Sequence, residues 1–154
     1  MKAKKINILY VDDEGNNLLS FKATFRLKYN VLIAINANEA LKILETNPID
    51  IVISDQRMPN VTGTQFLEYV FDKFPNVTRI LLTGYSDMEA MTDAINKSKI
   101  FHYLTKPWNE VELEDIIIKA YEVAKVNQET KTVNGELLLT PGQLENFLKQ
   151  RLLS

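Results

Sequence analysis

Asp12, Asp13, Asp55, Thr83 and Lys106 are the residues of this chain whose types could do chemistry together, and each sits at the end of a short apolar run. Three carboxylates at close range repel, and a like charge within about 4–6 Å raises a neighbour's pKa unless something positive intervenes. A divalent cation is the simplest remedy. An all-oxygen donor set favours a hard ion, and Mg²⁺ typically takes one or two carboxylates, several waters and a phosphate oxygen. Lys106 is a point charge suited to phosphate, and the Thr83 hydroxyl can donate to a phosphoryl oxygen. The set describes a carboxylate prepared to accept a phosphoryl group, with Asp55 as the acceptor. Each residue alone has a plainer meaning: an aspartate capping a helix or turning a loop, a surface lysine, a strand-end hydroxyl. Only their joint placement argues for chemistry.

That placement depends on the elements behind them. Residues 6–11 read as a buried strand ending at Asp12, Asp13 and Glu14, and residues 16–28 as a helix with Leu18, Leu19, Phe21, Phe25 and Leu27 on its apolar stripe. A second strand is expected over 31–35, then a helix over 36–47 with Ala40, Leu41, Ile43 and Leu44 inward, ended by Pro48. Residues 51–54 are apolar or small at consecutive positions, which suits a central parallel strand covered on both faces. Asp55 follows, and Pro59 and Gly63 delay the next helix, expected from about Thr64 to Phe74 with Phe66, Leu67, Val70, Phe71 and Phe74 inward. A fourth strand over 77–82 ends at Thr83. Ser86 with Glu89 is a capping box opening a helix to about Asn96. A fifth strand over 100–104 precedes Thr105, Lys106, Pro107 and Trp108. Asn109 with Glu112 then caps a helix through Leu113, Ile116, Ile117, Ala120, Tyr121 and Ala124.

Five strands alternate with five helices over roughly the first 127 residues, which calls for a doubly wound parallel sheet with right-handed crossovers. In the order 2-1-3-4-5, strands one and three meet where the winding reverses, and the polar strand ends share one crevice. Residues 128–154 read as a polar linker and a short amphipathic helix. Thr140, Pro141 and Gln143 start that helix, and Leu144, Phe147, Leu148 and Leu152 share a face. So short a helix needs a surface to cover. The surface is either this domain or a partner.

Composition narrows the class. Among 154 residues, 45% are hydrophobic and 25% charged, as in an ordinary globular protein. The net charge of −2 provides no basic field for nucleic acid or anionic membrane. Cysteine is absent, which excludes disulfides and thiolate metal sites. No apolar window approaches the roughly 18 residues of a membrane span, so a cytoplasmic protein is expected.

The pattern resembles the receiver domain of two-component response regulators, over about residues 4–127. The residues that carry the resemblance are Asp12 and Asp13, Asp55 before Met58, Pro59 and Gly63, then Thr83, Tyr103, and Lys106 before Pro107. The resemblance implies a flavodoxin-like fold that takes a phosphoryl group from a histidine kinase or phosphotransfer protein. It implies that Asp13, Asp55 and the backbone carbonyl of Arg57 hold Mg²⁺, with Asp12 acting through water. Lys106 and Thr83 would bind the phosphoryl group with the amides of Arg57 and Gly84, and the Lys106–Pro107 peptide would be cis. Thr83 and Tyr103 would form the switch that alters the surface of the fourth helix, fifth strand and fifth helix, for a homodimer or downstream effector. Gln56, Arg57 and Tyr85 would tune the phosphoryl lifetime. The residues past the receiver are too few for a usual effector domain, so the chain is expected to be a stand-alone receiver or a piece of a longer regulator. The loop from Asp55 to Pro59 also resembles receivers placed ahead of transcriptional or cyclic-dinucleotide phosphodiesterase domains.

Two competing functions remain to be weighed. A phosphohydrolase of the haloacid dehalogenase type also uses Asp, Thr and Lys around Mg²⁺, but needs an acid two residues after its nucleophile, where this chain has Arg57. An interaction module with a vestigial pocket would have no need of the intact set. His102, the lone histidine, and Trp108 are expected to serve packing, Trp108 as an anchor for the fifth helix.

Overall fold

The computed structural model describes residues 5–84, 100–129 and 141–153. Five parallel strands form one sheet: β1 (Asn7–Val11), β2 (Asn30–Ala34), β3 (Ile51–Asp55), β4 (Thr78–Thr83) and β5 (His102–Thr105). Their spatial order is β2-β1-β3-β4-β5, as the alternation predicts. The described helices are α1 (Gly15–Phe25), α2 (Ala37–Thr46), α3 (Gly63–Lys73), α4 (Glu110–Glu129) and α5 (Pro141–Leu153). The helix expected over 86–96, with Tyr85, lies outside the described residues.

The sheet has a core on each face, which is why its central strands have no exposed side. Ile8, Tyr10, Ile51, Ile53, Ile80 and Leu82 face α1 and α4, where Phe21, Phe25, Leu113 and Ile117 meet them. The alternate residues Leu9, Val11, Val52 and Leu81 join Phe66, Leu67 and Val70 of α3 and Ala40 and Leu44 of α2. The expected stripe of α1 is too broad. Leu18, Phe21 and Phe25 are buried, but Leu19 is 64% exposed and Leu27 80%. At 3.6 residues per turn Leu19 points about 100° away from Leu18, and Leu27 lies past the helix end. Ile35 is likewise exposed, one residue beyond β2. On α2, α3 and α4, Leu41, Ile43, Phe71, Phe74 and Tyr121 are half-buried flanks of their stripes.

The helix starts follow the side chains available to bind free amides. Asn36 accepts from the Glu39 amide and Asn109 from the Glu112 amide. Thr62 and Gln65 form a reciprocal capping box, so α3 begins just before the expected Thr64. Trp108 packs its ring at 6.1 Å from Phe21 and 5.7 Å from Phe25, tying the approach to α4 onto α1.

α5 begins at Pro141 as the sequence suggests, and it docks on this domain. Both carboxylate oxygens of Glu145 accept from Arg79 Nη2 at 2.7 Å. The Arg79 side chain is fully buried on β4, also donating to the Val77 carbonyl and lying 4.7 Å from the Phe71 ring centre. Lys149 donates to the Ile100 carbonyl at 3.2 Å, and Leu153 packs against the α1/α4 core. Leu152, expected on the apolar face, is 36% exposed. Burial raises the Glu145 carboxyl above its usual range despite the opposing pull of Arg79. Replacing Glu145 by Ala removes a buried charge partner of Arg79, which costs about 3–5 kcal/mol when a buried pair is broken from one side. Urea unfolding is expected to register a loss of that order, against less than about 1 kcal/mol for an exposed pair. An unchanged midpoint would mean that this pair does not hold α5.

Candidate functional site

Strand pairing brings the acids together. β1 and β3 are neighbours with Val11 opposite Ser54, so the residues that follow, Asp12 and Asp55, emerge side by side. One oxygen from each of Asp12, Asp13 and Asp55 lies within 4.8 Å of the others. Asp12 and Asp55 are buried and Asp13 is half-buried. On the other flank Asp55 pairs with Leu82, and Thr83 with Thr105, which puts Thr83 and then Lys106 next in line. The Lys106 amide donates to the Thr83 carbonyl at 2.8 Å. Its ammonium lies 2.9 Å from Asp55 Oδ1 and 3.3 Å from Asp12 Oδ2. The Lys106–Pro107 peptide is cis.

Thr83 is fully buried, with Oγ1 in a long 3.5 Å contact to the Gly84 carbonyl. Arg57 is exposed beside the acids. Tyr103 stands on β5, 37% exposed and stacked on His102 at 5.8 Å. The residues singled out from the sequence are therefore placed except Tyr85, which lies outside the described residues, and Tyr103 is turned toward solvent. Gly63 packs against the acid-bearing backbone so closely that a Cβ there would run into the Asp55 carbonyl. Asn60 supplies the loop's left-handed turn, with φ of 70°.

The carboxylates are held unequally. Asp12 Oδ2 accepts from the Tyr10 hydroxyl at 2.9 Å, Asn17 Nδ2 at 3.2 Å and Lys106, while Oδ1 accepts from the Glu14 amide at 3.0 Å. Asp55 Oδ1 accepts from the Gln56 amide at 2.9 Å and pairs with Lys106. Among the described residues nothing donates to Asp55 Oδ2. Asp12 is thus committed to the protein, and Asp55 keeps an oxygen for a reaction partner. Tyr10 and Asn17 were not legible as site residues. The signal lay in strand period, since Tyr10 is two residues before Asp12 and shares its face. Its ring stacks on Phe21 at 4.3 Å. Burial, then the nearby Asp12, push the Tyr10 phenol far above its usual range, so it stays a donor.

Charge crowding is visible in the ionisations. Burial raises the Asp55 carboxyl above its ordinary value, outweighing the pull of Lys106. Burial alone would lower Lys106, but Asp55 and Asp12 together hold it above the usual lysine range. The oxygens fit a hard divalent cation, with carboxylates from three residues and a carbonyl-bearing loop beside them, while the Lys106 ammonium suits an anionic group next to the ion.

A family model for the response regulator receiver domain matches residues 8–118. The chain belongs to that family. Accepting phosphoryl groups in two-component signalling is the standard work of such domains. Along its whole length it is 31% identical to the hydrogenase transcriptional regulatory protein HoxA of Cupriavidus necator, covering 32% of that protein. It is 28% identical over 84% of its length to the response regulator PilR of Pseudomonas aeruginosa, covering 29% of it. The chain therefore spans about a third of the curated relatives it matches. Among solved structures, the signal receiver domain of an HD domain-containing protein from Pseudomonas fluorescens Pf-5 superposes with a TM-score of 0.78 at 31% identity, covering 85% of this chain and 97% of that one. TrrA of Thermotoga maritima, solved with Mg(2+)-BeF, superposes at 0.67 with 30% identity, covering 75% of this chain and 98% of that one.

A carboxyl whose folded pKa lies above its unfolded one costs stability as pH rises through the interval between them. In metal-free buffer the receiver is expected to lose stability from the ordinary carboxylate range up through the displaced Asp55 value. Asp55→Asn lacks that limb and is expected to be the more stable protein at neutral pH, as read by urea unfolding in chelator. Equal stability of the two at every pH would show that Asp55 is not crowded.

Proposed function

We propose that this receiver takes a phosphoryl group onto Asp55 from a histidine kinase or a phosphotransfer protein, with Mg²⁺, and uses the new charge to reset a binding surface. The observation that carries this is the Lys106 ammonium at 2.9 Å from an aspartate whose second oxygen is open, inside a group of three carboxylates. Asp13, Asp55 and the Arg57 carbonyl would hold the metal, with Asp12 contributing through water. The ion supplies neutralisation of phosphoryl charge.

The chain's own groups account for the rest. Asp55 attacks phosphorus, an O–P bond forms, and the N–P bond of the donor phosphohistidine breaks with its electron pair returning to the imidazole. Lys106 follows the charge onto the phosphoryl oxygens, and the Thr83 hydroxyl and the Arg57 and Gly84 amides donate to them. A phosphoryl group brings about −1.5 to −2 charge. Shifting a two-state surface from about 1:99 to 99:1 takes roughly 5.5 kcal/mol, which a few charge-assisted hydrogen bonds of about 1.5–3 kcal/mol each can supply. Thr83 moving toward the phosphoryl group would leave space for Tyr103 to turn inward.

The chain acts as a signalling module with no substrate pool of its own. Its near-neutral charge disfavours direct nucleic-acid binding. No described helix is long and apolar enough to cross a membrane, and a cytoplasmic setting suits a kinase-fed domain. A homodimer or a downstream effector would read the surface. Residues 1–127 act as the receiver and 128–154 as linker and helix.

Incubation with Mg²⁺ and acetyl phosphate is expected to give a one-phosphoryl adduct on Asp55, detected by intact-mass spectrometry and lost with chelator. Asp55→Asn should give none. Lys106→Ala should still accept the group but no longer change partner binding. Adduct at the unaltered level on the Asn variant would sink the assignment, and turnover of many phosphoesters would favour a hydrolase.

A further inference from the structure

The acid-bearing loop is closed by one residue that the phosphoryl chemistry does not use. Gln56 is buried. Its amide donates to Asp55 Oδ1 at 2.9 Å and to the Leu82 carbonyl at 3.1 Å, extending the β3–β4 ladder past the acceptor. Its carbonyl accepts from the Gly63 amide at 2.9 Å. Its side-chain Oε1 accepts from the Thr64 amide at 2.9 Å, and Nε2 reaches Thr64 Oγ1 at 3.4 Å. One residue thus grips the acceptor, β4 and the first two helical positions of α3. The Gln56 backbone carbonyl satisfies the Gly63 amide and its side chain satisfies the Thr64 amide, two helix amides that would otherwise lack partners. The intervening loop, 57–62, has both ends fixed by Gln56, and the Arg57 carbonyl is one residue from the fixed point.

We propose that Gln56 is a positioning residue for the cation site: its bonds to Gly63 and Thr64 hold the Arg57 carbonyl and Asp55 in place for Mg²⁺. This rests on the metal-site reading above. A helix cap alone would make the same bonds, so the test must separate capping from positioning. Thr62 caps the same helix, accepting from the Gln65 amide at 3.2 Å; its hydroxyl also lies 3.1 Å from Thr64 Oγ1, but among the described residues it makes no hydrogen bond to Asp55 or Gln56.

The experiment titrates MgCl₂ alone into the full chain by isothermal titration calorimetry. Gln56→Met keeps length and loses both side-chain bonds; outer-shell partners of a metal site are worth about 10- to 100-fold in affinity, and a weakening near the lower end is expected. The rate of acetyl phosphate modification at saturating Mg²⁺ should return to the unaltered value. Thr62→Ala should bind Mg²⁺ as the unaltered chain does. A measurement on the unaltered chain covers the case in which Gln56→Met does not fold. Coupling is reciprocal, so Mg²⁺ must slow exchange of the Gly63 and Thr64 amides if their bonds to Gln56 support it. Unchanged affinity in Gln56→Met, equal weakening in Thr62→Ala, or amides indifferent to Mg²⁺ would each overturn the proposal. No Mg²⁺ binding by the unaltered chain would overturn the metal-site reading, and this proposal with it.

Discussion

Mutual repulsion among Asp12, Asp13 and Asp55 is the constraint that the rest of this molecule answers. Carboxylate oxygens gathered within 4.8 Å are unfavourable when two of the three residues are buried. Among the described residues nothing removes that repulsion outright. Lys106 opposes it from one side, Tyr10 and Asn17 tie down Asp12, and the Gln56 amide holds one oxygen of Asp55. Burial, with the Asp12 charge adding to it, leaves the Asp55 carboxyl raised despite an ammonium at hydrogen-bond distance. That residual charge suits the pocket to a hard cation. A fully neutralised cluster would be a more stable structure with less to offer one.

Parallel pairing makes such crowding feasible. Register fixes which side chains emerge together, and in a sheet buried on both faces it cannot slip by one residue without exchanging the two cores. The α1/α4 core and the α2/α3 core have different shapes, so the pairing of Val11 with Ser54 is enforced along the whole strand. The acids need no contacts of their own to find one another. They are delivered by the packing of Ile8, Leu9, Ile51, Val52 and their neighbours, several residues upstream.

Much of this was legible in the sequence because it is written in periodicity and punctuation. Apolar runs ending in acids, helices opened by Asn36 and Asn109, and the proline after Lys106 gave the sheet order and the meeting of the acids with Lys106. The misses share a cause. Leu19 and Leu27 were counted inward from hydrophobicity alone, where angle and helix length decide. Tyr10 and Asn17 carry site contacts through side chains that look like strand and helix filler in one dimension, and the grip of Gln56 on α3 had no local sign either. Arg79 was invisible because its partner Glu145 is 66 residues away, and a charged residue within an apolar strand has no local explanation.

Arg79 and Thr83 occupy the same strand, β4, four residues apart. At about 3.3 Å per residue the separation is near 13 Å, bridged by a strand that pairs on both sides and has little freedom to deform. The guanidinium at one end is kept dry with both oxygens of Glu145 on one of its nitrogens. The tail helix is therefore tied by an ionic contact to the very strand that ends at the pocket, so that loosening the one tugs on the rail that carries the other.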